Sequence, residues 1–222
     1  MADLLTMPRA SDWDRFWQSS REDKKVSWSK RRIIRLLEPI VAGKKSALDA
    51  GSGSGFFANF FCEKGLKTTA VDYSRQALAK TVEKTRGKAQ VIACDLLSGD
   101  LAQKLFDKFD IIFSDGLFEH FSLSGQNKIL RNFISVLSDR GVIVTVVPNR
   151  FSPWEVIRPF FMPGIKEKPF VLSELVRLNQ NNHLAVLRSG GLNTFPFAFS
   201  PDRFLGRRFG MLLFTVAQKN AR

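Results

Sequence analysis

Apolar and polar positions along this chain follow two different periods, and the places where the period switches mark its elements. Near the amino end, DWDRFW spaces Trp13, Phe16 and Trp17 at i, i+3 and i+4, which predicts a helix with one aromatic face over Asp12 to Trp17. A second, basic helix is predicted from Ser29 to Val41, with Ile33, Ile34, Leu36, Leu37 and Ile40 as its buried stripe. From Lys45 onward short apolar runs alternate with helical patterns. The runs place strands at Ser46 to Asp49, Lys67 to Asp72, Ala89 to Ala93, Phe109 to Ser114 and Gly141 to Val147. Helices are predicted between them at Phe56 to Lys64, Arg75 to Thr85, Asp100 to Leu105 and Ser124 to Leu137. Such alternation is the signature of an α/β domain whose parallel sheet is covered on both faces.

The pattern breaks after Val147. Asn149 to Phe170 combines four prolines with five aromatic residues, so no long regular element can run through it, and it reads as an insertion or lid. A helix then resumes near Leu172 to Asn179, followed by strands near His183 to Arg188 and Phe209 to Ala217, placed to pair antiparallel. Between these strands, Pro196, Pro201 and the basic stretch Arg203 to Arg208 read as a long connection.

Candidate chemistry begins at LDAGSGSGFF, Leu48 to Phe57, where Gly51, Gly53 and Gly55 follow a short strand that ends in Asp49. Glycine permits positive φ and close approach of backbone to a ligand. A helix starting at Phe56 presents unpaired N–H groups at the same place, suited to a polar or anionic group. The dinucleotide fingerprint G-x-G-x-x-G needs a glycine or alanine where Phe56 stands, and no Gly-Lys-Ser/Thr follows for a Walker loop. The pattern is instead D-x-G-x-G-x-G.

This motif resembles the first motif of the class I S-adenosylmethionine-dependent methyltransferases, of the type that acts on small molecules. The resemblance implies a doubly wound, mostly parallel seven-stranded sheet with the last strand antiparallel, and S-adenosylmethionine as cofactor, held by Asp49, Gly51, Ser52, Gly53 and Gly55. Asp72 ends the second predicted strand, 23 residues beyond Asp49 (72 minus 49), where doubly wound folds place a carboxylate near a ribose. Tyr73 adjoins it. A helix-capping or turn role competes with ribose binding at Asp72. The family pattern puts Asp95 on the adenine amino group with Leu96 beside the ring; a turn role is the alternative there. FDIIFSDGLFEHF carries Ser114, Asp115, Glu119 and His120 to the carboxyl edge of the sheet, where similar enzymes hold acceptor and methyl group. Asp115, Glu119 and His120 are the catalytic candidates, Ser114 a cofactor contact. His120 is the candidate general base if the acceptor carries a proton; His183 is expected to pack or hydrogen-bond. Related enzymes often begin with an aromatic helix that closes the site, so Trp13, Phe16 and Trp17 read either as a lid or as core.

Residues 1–28 are accordingly read as an aromatic lid segment and 29–222 as a single methyltransferase domain with an insertion at 149–170. Within that insertion Trp154, Phe160 and Phe161 could shape an apolar acceptor pocket, with Arg150 and Arg158 pairing an acidic group. Cys62 and Cys94 are the only cysteines and form no CxxC or Cys/His cluster, so neither a disulfide framework, a zinc site nor any other metal is expected. Without a signal-like segment or a membrane-length apolar run, a cytoplasmic location is expected. The formal charge of +13 leaves nucleic acid, anionic lipid surfaces and acidic substrates open as partners. From Arg140 to Arg222, Lys and Arg outnumber acids twelve to four, a diffuse field with no RNA-binding motif. The leading expectation is methyl transfer to a small-molecule acceptor by in-line displacement. Methylation of RNA or protein, and a catalytically silent cofactor-binding module, are the alternatives.

Overall fold

A computed structural model describes residues 10–19, 26–99, 101–105, 107–156 and 167–220. Helix α1 is Ala10–Ser19 and α2 is Trp28–Val41, the latter capped by the Ser27 hydroxyl, which accepts from the Lys30 N–H. Five parallel strands follow: β1 Ser46–Ala50, β2 Lys67–Asp72, β3 Gln90–Ala93, β4 Phe109–Asp115 and β5 Leu137–Pro148. They are connected by α3 Phe56–Glu63, α4 Arg75–Thr85, the short α5 Leu101–Lys104 and α6 Leu123–Val136. Then come α7 Leu172–Asn181, β6 Leu184–Leu192, α8 Asp202–Phe209 and β7 Leu212–Lys219.

The seven strands form one sheet in the order β3-β2-β1-β4-β5-β7-β6. β7 lies between β5 and β6 and runs antiparallel to both. The chain order reverses at β1, which pairs with β2 on one side and β4 on the other. Ligands of open α/β sheets bind at such a switch point, outside the carboxyl ends of the strands.

Successive strand residues feed opposite cores, as a period of two requires. Leu48 and Ile112 pack with Phe133, Val136 and Leu213 on one face. Ala47, Ile111 and Phe113 pack with Phe57, Phe61 and Leu37 on the other. Phe61, Phe113 and Phe133 are fully buried, each worth about 1.5–3 kcal/mol relative to exposure. Both sides of the sheet are therefore clamped, and its loop edge is held in place.

Several expected bounds change: β6 runs on past Arg188 to Leu192, and β7 starts at Leu212 because Phe209 ends the preceding helix. β5 starts at Leu137, before the predicted Gly141, because Leu137 pairs with Phe109 ahead of an irregularity between Phe109 and Ile111. The predicted connection before the last strand contains α8. Gly206 in its middle lowers helix propensity, so packing against β6 rather than local preference forms it. Arg158, Phe160 and Phe161 lie outside the described residues. No described helix is long and apolar enough to cross a membrane.

Candidate active site

A cavity of about 600 Å³ opens at the switch point. Its floor is the turn from β1 into α3. Gly55 caps α3 in the left-handed region (φ 73°), and a Cβ there would lie 2.6 Å from the Thr81 Cα on α4. Gly53 (φ 51°) is overlain by the Trp17 ring, which a Cβ would meet at 2.6 Å. Glycines at these two points thus let the loop thread between α4 and α1.

Asp49, Gly51, Ser52 and Gly53 line the cavity, together with Asp72 and Tyr73 from the end of β2, Asp95 and Leu96 after β3, and Asp115 and His120 after β4. The Asp72 carboxylate accepts from the Gly53 N–H at 3.0 Å and from the Ser74 N–H at 2.9 Å, locking the glycine loop to the end of β2. Ser74, not Asp72, caps α4, since its hydroxyl accepts from the Ala77 N–H. Asp95 accepts from the Leu97 N–H at 2.8 Å, which makes a turn of the loop that edges the cavity.

Not every predicted residue reaches the cavity. Ser114 is fully buried and does not line it, because alternation along β4 turns Asp115 inward and Ser114 away. Gly55 shapes the turn from behind. Glu119 sits in a 3-10 turn, Phe118–His120, 1 % exposed, beside the cavity rather than on its wall. Arg150 is spent on Glu174, with both carboxylate oxygens within 3.1 Å, so it is not directed at an acceptor. His183 is exposed at the turn after α7, in the left-handed region (φ 60°), and does not pack.

The sequence reading missed several lining residues. Lys30 projects from α2 into the cavity lining and stands 4.6 Å above the Phe56 ring; nothing in the sequence of a basic helix marks one lysine. Asp14 on α1 accepts from the Ser74 hydroxyl at 2.5 Å and so fastens α1 to the start of α4. This anchor carries Trp13 and Trp17 to the cavity wall, where the Trp13 ring meets His120 edge-on at 4.9 Å. An acid inside an aromatic helix, as in DWDRFW, was the available signal.

The electrostatics are those of a buried acidic chamber. Desolvation raises Asp49 to about 8, only partly offset by the Ala58 backbone N–H, and its Oδ2 has no hydrogen-bond partner among the described residues. Desolvation likewise raises Asp115 to about 7, against the pull of Lys30. Burial raises Asp72 despite its backbone hydrogen bonds. Glu119 is pushed well above the ordinary carboxylate range by burial and then by Glu167, Asp115 and Glu155. Carboxylates held this way favour a cationic ligand, whose charge would return them to the ionised form.

Residues 48–143 match a methyltransferase-domain family model. A glycine/sarcosine N-methyltransferase from Aphanothece halophytica is 32% identical over 107 residues, covering 46% of this chain and 40% of the relative. A malonyl-[acyl-carrier protein] O-methyltransferase from Hamiltonella defensa is 25% identical over 187 residues, 76% of this chain and 72% of the relative. The chain spans less than half the length of the glycine/sarcosine enzymes it matches. Among solved structures, the N-methyltransferase NodS from Bradyrhizobium japonicum, in complex with S-adenosyl-l-homocysteine, superposes with a TM-score of 0.69 at 13% identity, covering 96% of this chain and 98% of that one. Magnesium protoporphyrin IX methyltransferase from Synechocystis gives 0.66 at 14%, covering 95% and 94%. With strand order, inserted antiparallel β7 and glycine loop agreeing, the chain has the class I S-adenosylmethionine-dependent methyltransferase fold.

Proposed function

We propose that this protein binds S-adenosylmethionine in the cavity and transfers its methyl group to a small-molecule acceptor. The observation that carries the reading is the convergence of Asp49, the glycine loop, Asp72, Asp95 and Asp115 on one chamber at the sheet's switch point. Each part of the cofactor finds a chemical match there. The ribose hydroxyls can donate to Asp72 and the adenine amino group to Asp95, with Leu96 and Leu97 as apolar neighbours of the ring. The amino-acid end has an ammonium, which suits Asp49, and a carboxylate, which suits Lys30 and the N–H groups opening α3.

The transferred carbon is attached to a sulfonium. In an in-line displacement the acceptor lone pair forms the new bond to methyl carbon as the carbon–sulfur bond breaks and its electron pair returns to sulfur. The sulfonium becomes a neutral thioether, so no covalent enzyme intermediate is needed and positioning supplies much of the rate. Trp13 and Trp17 on α1 exclude water from one side, which strengthens every charge interaction inside. Where the acceptor carries a proton, His120 on the wall is the group placed to receive it.

The similarity to glycine/sarcosine N-methyltransferases supports a small-molecule acceptor, and the malonyl-[acyl-carrier protein] O-methyltransferase extends that to a small acyl group borne on a carrier. The experiment is incubation with methyl-labelled S-adenosylmethionine and fractionated cell metabolites. Label appearing in a small molecule with matching formation of S-adenosylhomocysteine is expected. Label in RNA or protein alone would favour the other acceptors, and cofactor binding without transfer to any fraction would make the chain a silent binding module.

A further inference from the structure

We propose that Glu119, His120 and Glu167 form a divalent-cation site beside the cofactor cavity. One ligand atom from each lies within 4.8 Å of the other two. Two donors on opposite sides of one ion at about 2.2 Å stand about 4.4 Å apart, so slight side-chain adjustment closes the set around a single ion. A second observation points the same way. Glu119 is 1 % exposed, and its Oε2 has no hydrogen-bond partner among the described residues. A polar atom so placed lacks a partner that a cation would supply.

The frame is built from distant parts of the chain. Glu119 and His120 share the 3-10 turn after β4, and the Lys168 N–H donates to the Glu119 carbonyl at 2.9 Å, holding Glu167 across from them. Because the third donor comes from beyond the 149–156 segment, no local motif announces the set, and the expectation of no metal rested on cysteine and histidine spacing alone. Two carboxylates and one imidazole suit manganese, iron or zinc, and offer no soft thiolate for copper(I). His120 joins the site to the cavity wall. If the methyl-transfer reading holds, an ion there would polarise an acceptor oxygen or nitrogen, and His120 would serve as ligand instead of free base.

The test is titration of the whole protein with Mn²⁺, free ion being read by electron paramagnetic resonance, in parallel with calorimetry using S-adenosylhomocysteine. About one Mn²⁺ per chain is expected, with affinity lowered about tenfold or more by Glu119→Gln and by Glu167→Gln. Glu174→Gln, at an exposed carboxylate already paired with Arg150, should leave the ion's affinity unchanged. No Mn²⁺ or Zn²⁺ binding by the wild-type protein up to about 1 mM, or binding indifferent to both Gln variants, would overturn the site. The wild-type stoichiometry decides the matter even if a variant does not fold. Homologue binding without Mn²⁺ binding rejects the metal and leaves the methyltransferase reading standing; the reverse pattern rejects that reading and keeps the metal.

A separate surface carries a second inference. Phe195, Phe197, Phe199, Phe204 and Phe209 are all exposed, Phe199 and Phe204 by 80% and 81%. They share this stretch with the exposed Arg203, Arg207 and Arg208 of α8. The helix's one acid, Asp202, is taken up by Arg32 and by the Asn193 and Thr194 N–H groups. Exposed aromatic residues interleaved with positive charge are complementary to an anionic lipid bilayer. We infer that this face docks there. Cosedimentation with phosphatidylglycerol-containing vesicles is expected, lost in a Phe199→Ser/Phe204→Ser variant and weak on pure phosphatidylcholine. Absence of binding to the anionic vesicles, or release from them by stoichiometric RNA, would overturn it.

Discussion

At the scale of single residues, Asp49 and Asp115 are the groups most displaced from their ordinary chemistry within the cavity. A carboxyl whose folded-state pKa is raised contributes its stability at pH below the unfolded value, and that contribution is lost as pH rises through the folded one. For Asp49 the loss runs from about 4 up to about 8, and for Asp115 up to about 7. The ligand-free protein should therefore melt progressively lower from about pH 4 to about pH 8, and less steeply as Asp49→Asn. S-adenosylmethionine brings positive charge to the same chamber, so binding at pH 7 should release protons. Calorimetry in phosphate and in Tris buffer checks this through the dependence of the observed heat on buffer ionisation, a dependence that Asp49→Asn should diminish. The glycine loop and Asp72 were legible from strand and turn spacing, whereas Asp95, Leu96, Asp115 and His120 came from the family resemblance. Ser114 was misplaced by one step of a period-two pattern, and Lys30 carried no local mark at all.

Among the elements, the joints matter most. Gly55 is in the left-handed region with α4 pressed against it, so Gly55→Ala adds both backbone strain and a clash; a loss of about 1–3 kcal/mol in denaturant unfolding is expected. Gly53→Ala strikes Trp17 instead, and α1 can yield where α4 cannot. That variant should bind cofactor more weakly with a smaller change in stability. Arg32 is a second joint: buried on α2, it donates to Asn193 Oδ1 at 3.1 Å and to the Phe197 carbonyl at 2.6 Å, and pairs with Asp202 at 3.4 Å. Arg32→Met should cost about 2–4 kcal/mol, because it strips these acceptors of a shared donor while Asp202 keeps its hydrogen bonds from Ser200, Asn193 and Thr194. Most elements could be read from periodicity within a residue or two. Helix α8 could not, since its glycine and arginines favour a loop locally and only its seat on β6 makes it helical.

For the whole molecule, the sheet order explains why chemistry gathers at one edge. Parallel β1 to β4 all deliver their carboxyl ends to the same side, and α1 is tied across that side by Asp14. The antiparallel β7 and the aromatic, basic stretch around α8 lie at the other end of the strand order, away from the switch point. Charge alone leaves several partners open; its placement beside exposed phenylalanines is what the vesicle-docking proposal rests on. A cavity built for S-adenosylmethionine should also hold its demethylated product, which calorimetric titration with S-adenosylhomocysteine measures. Saturable binding of one molecule per chain is expected, weakened by about 1–3 kcal/mol in Asp72→Ala through loss of charge-assisted hydrogen bonds to the ribose. No binding of S-adenosylhomocysteine or of S-adenosylmethionine to folded wild-type protein would rule out S-adenosylmethionine as the cavity's ligand.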